Sequence, residues 1–322
     1  MQYTSFGRTG LEVSVVGFGC GGYSRLGQNY DQSADHSVSL LKEALDLGVN
    51  FIDTSENYKT EEIVGEAIRG RPRSSVVVTT KTYVQRKTGL LPPADMLKSL
   101  EQSLASLGTD YIDVYCLHGV EPEAYDYAEA QLLPLLVKAK DAGKIRNIGI
   151  SEHTSTDPEH ETVRRAIAAG FDVVMFAFHM MHQNARDVVV PAARAAGVGT
   201  VGMCAMRGFF SNQEAVETVL RELEATGRLP YSYAESRDAI ASLVADAGPE
   251  GLVDAAYRYA RHEPGIDVVL FGTGKREHLR ANVASMLKPP LPEADKARID
   301  RLFGPLVSVA LNKDLRGRPT PY

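Results

Sequence analysis

The sequence predicts an α/β fold whose parallel strands close into a barrel, and three observations predict it. Eight short apolar runs recur along most of the chain, they do not alternate apolar with polar residues, and a stretch with helical spacing follows each. Strands buried on both faces read as continuous apolar runs, and a parallel sheet with crossover helices buries strands that way. Eight such units, with no linker to divide them, describe a closed barrel better than an open sheet. A single barrel domain of 322 residues, 1–322, is within the range of this architecture.

In order, residues 1–13 read as a hairpin about the turn Gly7-Arg8-Thr9-Gly10, set before the repeating unit. Residues 15–19 form the first buried strand, and Gly19-Cys20-Gly21-Gly22 after it allows backbone to approach a ligand closely. A helix over 36–47 carries Val38, Leu41 and Leu45 at helical spacing and stops at Gly48. The second strand, 51–54, leads to a helix marked by Ile63, Val64, Ala67 and Ile68; the third, 76–80, ends at Lys81. Leu97, Leu100, Leu104 and Leu107, closed by Gly108, make the clearest amphipathic helix, and the fourth strand, 111–117, ends at His118. A loop at 119–131 precedes a helix over 132–142 and the fifth strand, 145–150. Asp157-Pro158 supplies a cap and first turn for a helix through Ala169. The sixth strand is 173–178, followed by a helix over 188–196 ended by Gly197, and the seventh strand is 198–203. Residues 209–248 interrupt the rhythm as a long insertion, which in a compact domain is a functional loop or holds small helices of its own. A helix over 252–261, the eighth strand at 268–271 and a last helix opened by Gly272-Thr273-Gly274 complete the barrel. Beyond Pro289-Pro290 the tail, 289–322, holds one helix over 293–303.

Composition narrows the function classes. Hydrophobic residues at 44% and charged residues at 24% are ordinary globular values. A net charge of -6 argues against nucleic acid or an anionic membrane as partner, while leaving room for a local basic patch that holds a phosphate. Cys20, Cys116 and Cys204 are an odd number with no C-x-x-C pair, which fits a reducing compartment. The first residues lack the charged and apolar regions of a signal peptide, and no apolar run approaches the roughly 18 residues that span a bilayer. The expectation is a soluble cytoplasmic protein whose oligomeric state the sequence does not set.

Ligands sit at the carboxyl ends of parallel strands, so the residues that close those strands are the chemical candidates. Asp53 and Tyr58 follow the second strand in Phe-Ile-Asp-Thr-Ser-Glu-Asn-Tyr, Lys81 closes the third and His118 the fourth. Singly, each has an ordinary structural role: a helix cap, a packed ring, a solvated amine, a satisfied core imidazole. Together they bring four polar side chains from three neighbouring strands to one rim. A free phenol titrates near ~10, too high to protonate an alkoxide and recycle at neutral pH. A lysine ammonium at about 4 Å is worth up to ~4 kcal/mol at an effective dielectric near ~20 and makes Tyr58 a usable acid. Asp53 would hold Lys81 charged and aimed, and neutral His118 would donate a hydrogen bond that orients a carbonyl oxygen toward Tyr58. His179 and His182, with His153, lack the helical spacing or carboxylate partner of a zinc site, and no metal is expected.

These four residues resemble the Asp, Tyr, Lys, His tetrad of the aldo-keto reductase family. Further segments resembling that family are Gly-Arg-Thr-Gly-Leu-Glu-Val-Ser at 7–14, Gly-Lys-Ile-Arg-Asn-Ile-Gly-Ile-Ser at 143–151 and Gly-Thr-Gly-Lys-Arg-Glu-His-Leu-Arg-Ala-Asn at 272–282. The resemblance runs from residue 1 to about 287. It implies a (β/α)8, or TIM, barrel with a nicotinamide cofactor extended across its carboxyl-terminal mouth and no Rossmann domain. It also implies hydride transfer to or from the carbonyl of an aldehyde, ketone or sugar, with Tyr58 as general acid.

For the cofactor, the resemblance implies Gly21 and Gly22 against it, Ser151 on the nicotinamide amide, and Met175 beside that amide. Cys204, Met206 and Gly208 after the seventh strand, with Gly272, Thr273, Gly274, Lys275, His278 and Asn282, would hold pyrophosphate and adenosine, since backbone amides opening a helix bind anions. Lys275, Arg276 and His278 would take a 2′-phosphate, favouring NADP(H) over NAD(H). Tyr23, Asn57 and Tyr83 would shape the substrate pocket, helped by Phe178, Phe209, Phe210, the loops 119–131 and 209–248, and the tail. The chain departs from the family pattern where Glu152 stands for an Asn, Met175 for a Gln and Ala281 for a Glu, and where Met203-Cys204-Ala205-Met206-Arg207-Gly208 ends the seventh strand. Those departures motivate the alternative of a nicotinamide-binding, redox-sensing subunit with little turnover.

Overall fold

The computed structural model describes residues 1–211, 213–247 and 251–309. The chain starts with the hairpin β1 (Tyr3–Ser5) and β2 (Glu12–Ser14), then runs through β3 (Val16–Gly19), β4 (Phe51–Asp53) and β5 (Val77–Tyr83). A two-residue ribbon, β6 (Gln85–Arg86) and β7 (Gly89–Leu90), precedes β8 (Ile112–Val120), β9 (Ile145–Glu152), β10 (Val173–Ala177), β11 (Gly199–Met203) and β12 (Val268–Phe271). The eight strands β3, β4, β5, β8, β9, β10, β11 and β12 are all parallel and close on one another in that order, β12 pairing back onto β3. The expected (β/α)8 barrel is therefore the observed one.

Register decides which residues share the rim. Gly19 lies beside Asp53, Asp53 beside Thr79, and Lys81 beside Cys116, so the ends of the first four barrel strands meet at one level. On the far side Met175 lies beside Ser151, and Ala177 beside Met203. Inside the barrel Phe51, Val77, Val114, Val173, Val201 and Val268 fill the lumen as a packed column. The N-terminal hairpin forms its floor: the Phe6 ring meets Phe51 edge-on at 5.5 Å and lies under Gly199, where an added Cβ would come within 2.9 Å of it. Arg8 ties the hairpin down by donating to the carbonyls of Ala196 (2.9 Å) and Gly170 (3.0 Å).

Helices cover the outside for the reason their sequence periods imply. Pro93–Leu107 buries Met96, Leu100 and Leu107 on one face, each worth about 2 kcal/mol, and ends at Gly108 with a φ of 62°. The tail helix spans Glu293–Phe303, as its spacing predicts. The insertion at 209–248 takes the second of its two expected forms: the helices Gln213–Ala225 and Tyr233–Ala247 occupy most of it, burying Val216, Leu220, Ile240 and Leu243 against the rest of the molecule. Two expectations need correcting. The expected loop at 119–131 is helical from Pro122, whose missing N–H costs nothing in a first turn, and runs through a wide turn at Ala128–Leu132 into Leu133–Asp141. Pro158 lies before its helix, which begins at Glu161; Asp157 still caps it, accepting from the N–H groups of Glu161 (2.7 Å) and Thr162 (2.8 Å). The last thirteen positions of the tail, 310–322, lie outside the described residues.

Candidate active site

At the rim, β4, β5 and β8 bring the four candidates together. The Lys81 ammonium, 1% exposed, donates to Asp53 Oδ1 and to the Thr54 carbonyl at 2.8 Å, and lies 5.3 Å from the centre of the Tyr58 ring. Tyr58 is carried on a short 3-10 turn, Glu56–Tyr58, directly after β4, and its hydroxyl stands 3.3 Å from His118 Nε2. The other imidazole nitrogen, Nδ1, lies 3.0 Å from the Ser55 hydroxyl, and Tyr83 stacks on the imidazole at 4.0 Å between centres. Backbone connectivity explains the cluster. The end of β4 supplies Asp53, Ser55 and Tyr58, and the next two strands around the barrel, β5 and β8, supply Lys81 and His118.

Burial sets the electrostatics. It holds His118 well below the usual imidazole range, with the Lys81 charge and His153 adding to the effect, so the ring is neutral. Burial also pushes the Asp53 carboxyl upward, against the pull of the Lys81 ammonium. Cys116, beneath the rim, is pushed up to about 12 by burial, and Cys20 and Cys204 also move upward; these thiols are wall, not nucleophile.

A groove of about 880 Å³ opens over this cluster and runs across the barrel mouth. Its lining includes Asp53, Tyr58, Lys81 and His118 in the middle, Ser151, Met175, Cys204, Met206 and Gly208 along one side, and Gly272, Thr273, Gly274, Lys275 and His278 at the far end. Gly21, Gly22, Tyr23 and Tyr83 also line it. Asn57 and Asn282 do not: Asn57 is exposed and hydrogen-bonds Tyr83, and Asn282 is buried on the helix Arg276–Leu287. Phe178, Phe209 and Phe210 are also outside the lining, packed around Tyr259 and His179. From 119–131 only Gly119 reaches the groove, and among the described residues of 209–248 none does.

The groove's walls suit an extended dinucleotide. A Cβ at Gly21 would meet the Tyr58 ring at 2.4 Å and one at Gly274 would meet the Gly27 Cα at 2.4 Å, so both walls are backbone. Arg276 turns away from the groove to Glu43 and to Ser39 Oγ (2.6 Å), and Arg280 also pairs with Glu43 at 2.6 Å. Lys275 and His278 are thus the basic side chains that face it at that end.

Sequence reasoning passed over several side chains here. Ser55 lies inside the stretch that drew attention and received no role. Glu152 does not point freely at a ligand: it accepts from His160 Nδ1 (2.7 Å) and the Ala177 N–H (2.8 Å), and its carboxylate outweighs burial to raise His160. The partner His160 is eight residues on, across a turn, and no local pattern marks it. Thr154 and Ser155 from a turn, Leu270 from β12 and Tyr257 from the helix Gly251–Arg261 complete the groove.

Comparison with known proteins agrees with this geometry. The chain matches the model of the Aldo/keto reductase family over residues 17–303. It is 27% identical to the aldo-keto reductase YhdN of Bacillus subtilis (strain 168), across 99% of each chain, and 27% identical to L-galactose dehydrogenase of Arabidopsis thaliana, across 89% of this chain and 88% of that one. Among solved structures, aldo-keto reductase AKR11C1 from Bacillus halodurans in its holo form superposes with a TM-score of 0.70 at 25% identity, over 94% of this chain and 96% of the other. With the family pattern matched from the first barrel strand to the tail helix, the chain belongs to the aldo/keto reductase family and is a nicotinamide-dependent carbonyl oxidoreductase.

Proposed function

We propose that Tyr58 is the general acid and base of this enzyme, that Lys81 and Asp53 tune it, and that NADP(H) is the preferred cofactor for an aldehyde, ketone or sugar substrate. The observation that carries the reading is the buried Lys81 ammonium, held by Asp53 and the Thr54 carbonyl beside the Tyr58 ring. A fixed positive charge there stabilises the phenolate that remains once Tyr58 has given its proton to a reacting oxygen. Asp53 aims the buried ammonium and supplies its counter-charge. His118 flanks Tyr58 and brackets the position of that oxygen. When bound, the nicotinamide supplies or accepts the hydride.

The remaining residues would bind and orient. The Gly119 N–H donates to Ser151 Oγ at 2.8 Å, leaving the Ser151 hydroxyl hydrogen to be offered to a carboxamide oxygen. Lys275 and His278, beside the first turn of Arg276–Leu287, suit a 2′-phosphate, since a helix start and a lysine both favour an anion. L-galactose dehydrogenase, one of the relatives, makes a sugar substrate part of the same proposal. A cytoplasmic setting follows from the free thiols Cys20, Cys116 and Cys204. Among the described residues no helix is long and apolar enough to cross a membrane.

The test is Tyr58→Phe, with nucleotide binding followed by tyrosine emission and turnover by NADPH absorbance on a panel of aldehydes, ketones and sugars. Turnover should fall by about 100-fold or more while NADPH affinity stays within a few fold, because the ring still packs against Gly21. Equal loss of both would remove Tyr58 from its assigned role. Nucleotide binding by the wild type with no turnover on any carbonyl would favour the redox-sensing alternative.

A further inference from the structure

We infer that Glu152 and His160 form a buried ion pair whose carboxylate end faces the groove, and that this pair makes the site prefer the oxidised, cationic nicotinamide to the reduced, neutral one. The inference rests on the reading that places the nicotinamide against Ser151, the residue before Glu152.

The charge state follows from the hydrogen bonds. Asn184 Nδ2 donates to the Pro158 carbonyl at 2.8 Å, and turning the amide over would set two oxygens against each other there. Its Oδ1 therefore faces His160 Nε2, 3.0 Å away, and accepts from it. On the other side of the ring Nδ1 lies 2.7 Å from Glu152 Oε2, while Glu152 Oε1 accepts the Ala177 N–H at 2.8 Å. With Nε2 already protonated, a proton on Nδ1 makes the ring an imidazolium. Burial opposes that charge, but the Glu152 carboxylate, its hydrogen bond and the one to Asn184 outweigh burial and raise His160. Burial raises Glu152 as well, from a lower starting value, so the shared proton stays on the ring. Asp157 adds to the pull on His160, and His182, whose ring centre is 5.1 Å away, is neutral.

The backbone builds the pair into the fold and orients it. His160 has a φ of 59°, a left-handed conformation uncommon outside glycine, directly before the helix Glu161–Ala169. The fold bears that cost and delivers the ring to Glu152. Glu152 closes β9 and lines the groove, whereas His160 is fully buried behind it and does not. The negative end of the pair thus faces the ligand. Asp53, the other carboxylate in the lining, is matched by Lys81 within the lining itself.

Oxidation of a nicotinamide adds a positive charge to the ring and leaves the rest of the nucleotide as it was. A carboxylate in the adjoining wall therefore separates the two states by charge alone. Tighter holding of the oxidised nucleotide also shifts the equilibrium on the enzyme toward reduction of the carbonyl.

The first test uses the free protein: ¹⁵N-histidine NMR at neutral pH, with the His160 resonances assigned by their loss in His160→Gln. Both ring nitrogens should be protonated, and a bare Nδ1 would show an uncharged pair and overturn the proposal. The second test measures NADP⁺ and NADPH affinities by tyrosine emission and takes their ratio. In Glu152→Gln the preference for NADP⁺ should fall by roughly tenfold relative to wild type. Glu152→Asn, a second neutral replacement, should give the same shift and stands in if Glu152→Gln does not fold. Lys275→Ala removes a charge that meets both nucleotides alike and should leave the ratio at its wild-type value. An unchanged ratio in the Glu152 variants would refute the discrimination. Ser151→Ala separates the two readings: if it weakens both nucleotides while the Glu152 variants leave the ratio alone, only the ion-pair proposal fails. If Ser151→Ala changes neither affinity, the placement of the nicotinamide fails with it.

Discussion

Replacing Lys81 by methionine separates what the ammonium does for the fold from what it does for the reaction. Lys81 is 1% exposed and Asp53 4%, so the substitution leaves a carboxylate buried without its counter-ion and the Thr54 carbonyl without its 2.8 Å donor. Breaking a buried pair from one side costs about 3–5 kcal/mol, most of it the desolvated charge left behind. Adding Asp53→Asn to Lys81→Met should return about half of that loss, because an unpaired neutral amide costs only about 1–3 kcal/mol. The sign of the pH dependence follows. In Lys81→Met the folded-state carboxyl lies above its unfolded value, so protonation favours the folded form, and the deficit against wild type should shrink from pH 8 to pH 5. Urea unfolding of the four proteins at both pH values gives the cycle, and NADPH oxidation with an aldehyde gives turnover. The double variant should regain stability and remain inactive. Strictly additive losses, or a deficit that does not change with pH, would show that Asp53 and Lys81 are not a coupled buried pair. Recovered turnover in the double variant would remove Lys81 from the reaction.

Two further outcomes follow from the groove and from the buried imidazoles. Lys275→Ala should weaken NADPH by about tenfold or more and NADH little, as expected for one charge-assisted contact to a phosphate; an equal effect on both nucleotides would place the 2′-phosphate elsewhere. His182 is held down to about 3 by burial, with His160 and Arg207 adding to the effect, whereas in the unfolded chain it titrates near 6.5. The unfolded state therefore binds the extra proton as pH falls, and this group alone should remove about 2 kcal/mol of stability between pH 7 and pH 5. His182→Gln should flatten that part of the acid slope in urea or thermal unfolding. An unchanged slope would mean that His182 is already protonated in the folded protein.

Much of this architecture is legible in the chain because its causes are local. A strand buried on both faces must be apolar throughout, so all eight barrel strands stand out, and a helix that covers them must repeat its apolar residues every three to four positions, as Leu100 and Leu107 do. The helices at 213–225 and 233–247 were less legible. They lie where the strand and helix rhythm stops, and their apolar residues find their partners among distant elements. Asn57 was legible as a neighbour of Tyr58 but not as an outward-facing residue, because the direction of a side chain in a 3-10 turn depends on how that turn is docked.

By itself the sequence determined the barrel, its family and which residue types close each strand, since burial period and strand-end chemistry are properties of short segments. Only the tertiary structure decided how those ends meet. The parallel register sets Asp53, Lys81 and His118 within reach of one another, turns Arg276 away to Glu43, joins Glu152 to His160, and leaves the Lys81 carbonyl to be met by Ser55. The physical reason is that a hydrogen bond is set by position and direction in space, and residues 8 to 233 apart in the chain acquire those only when the barrel closes.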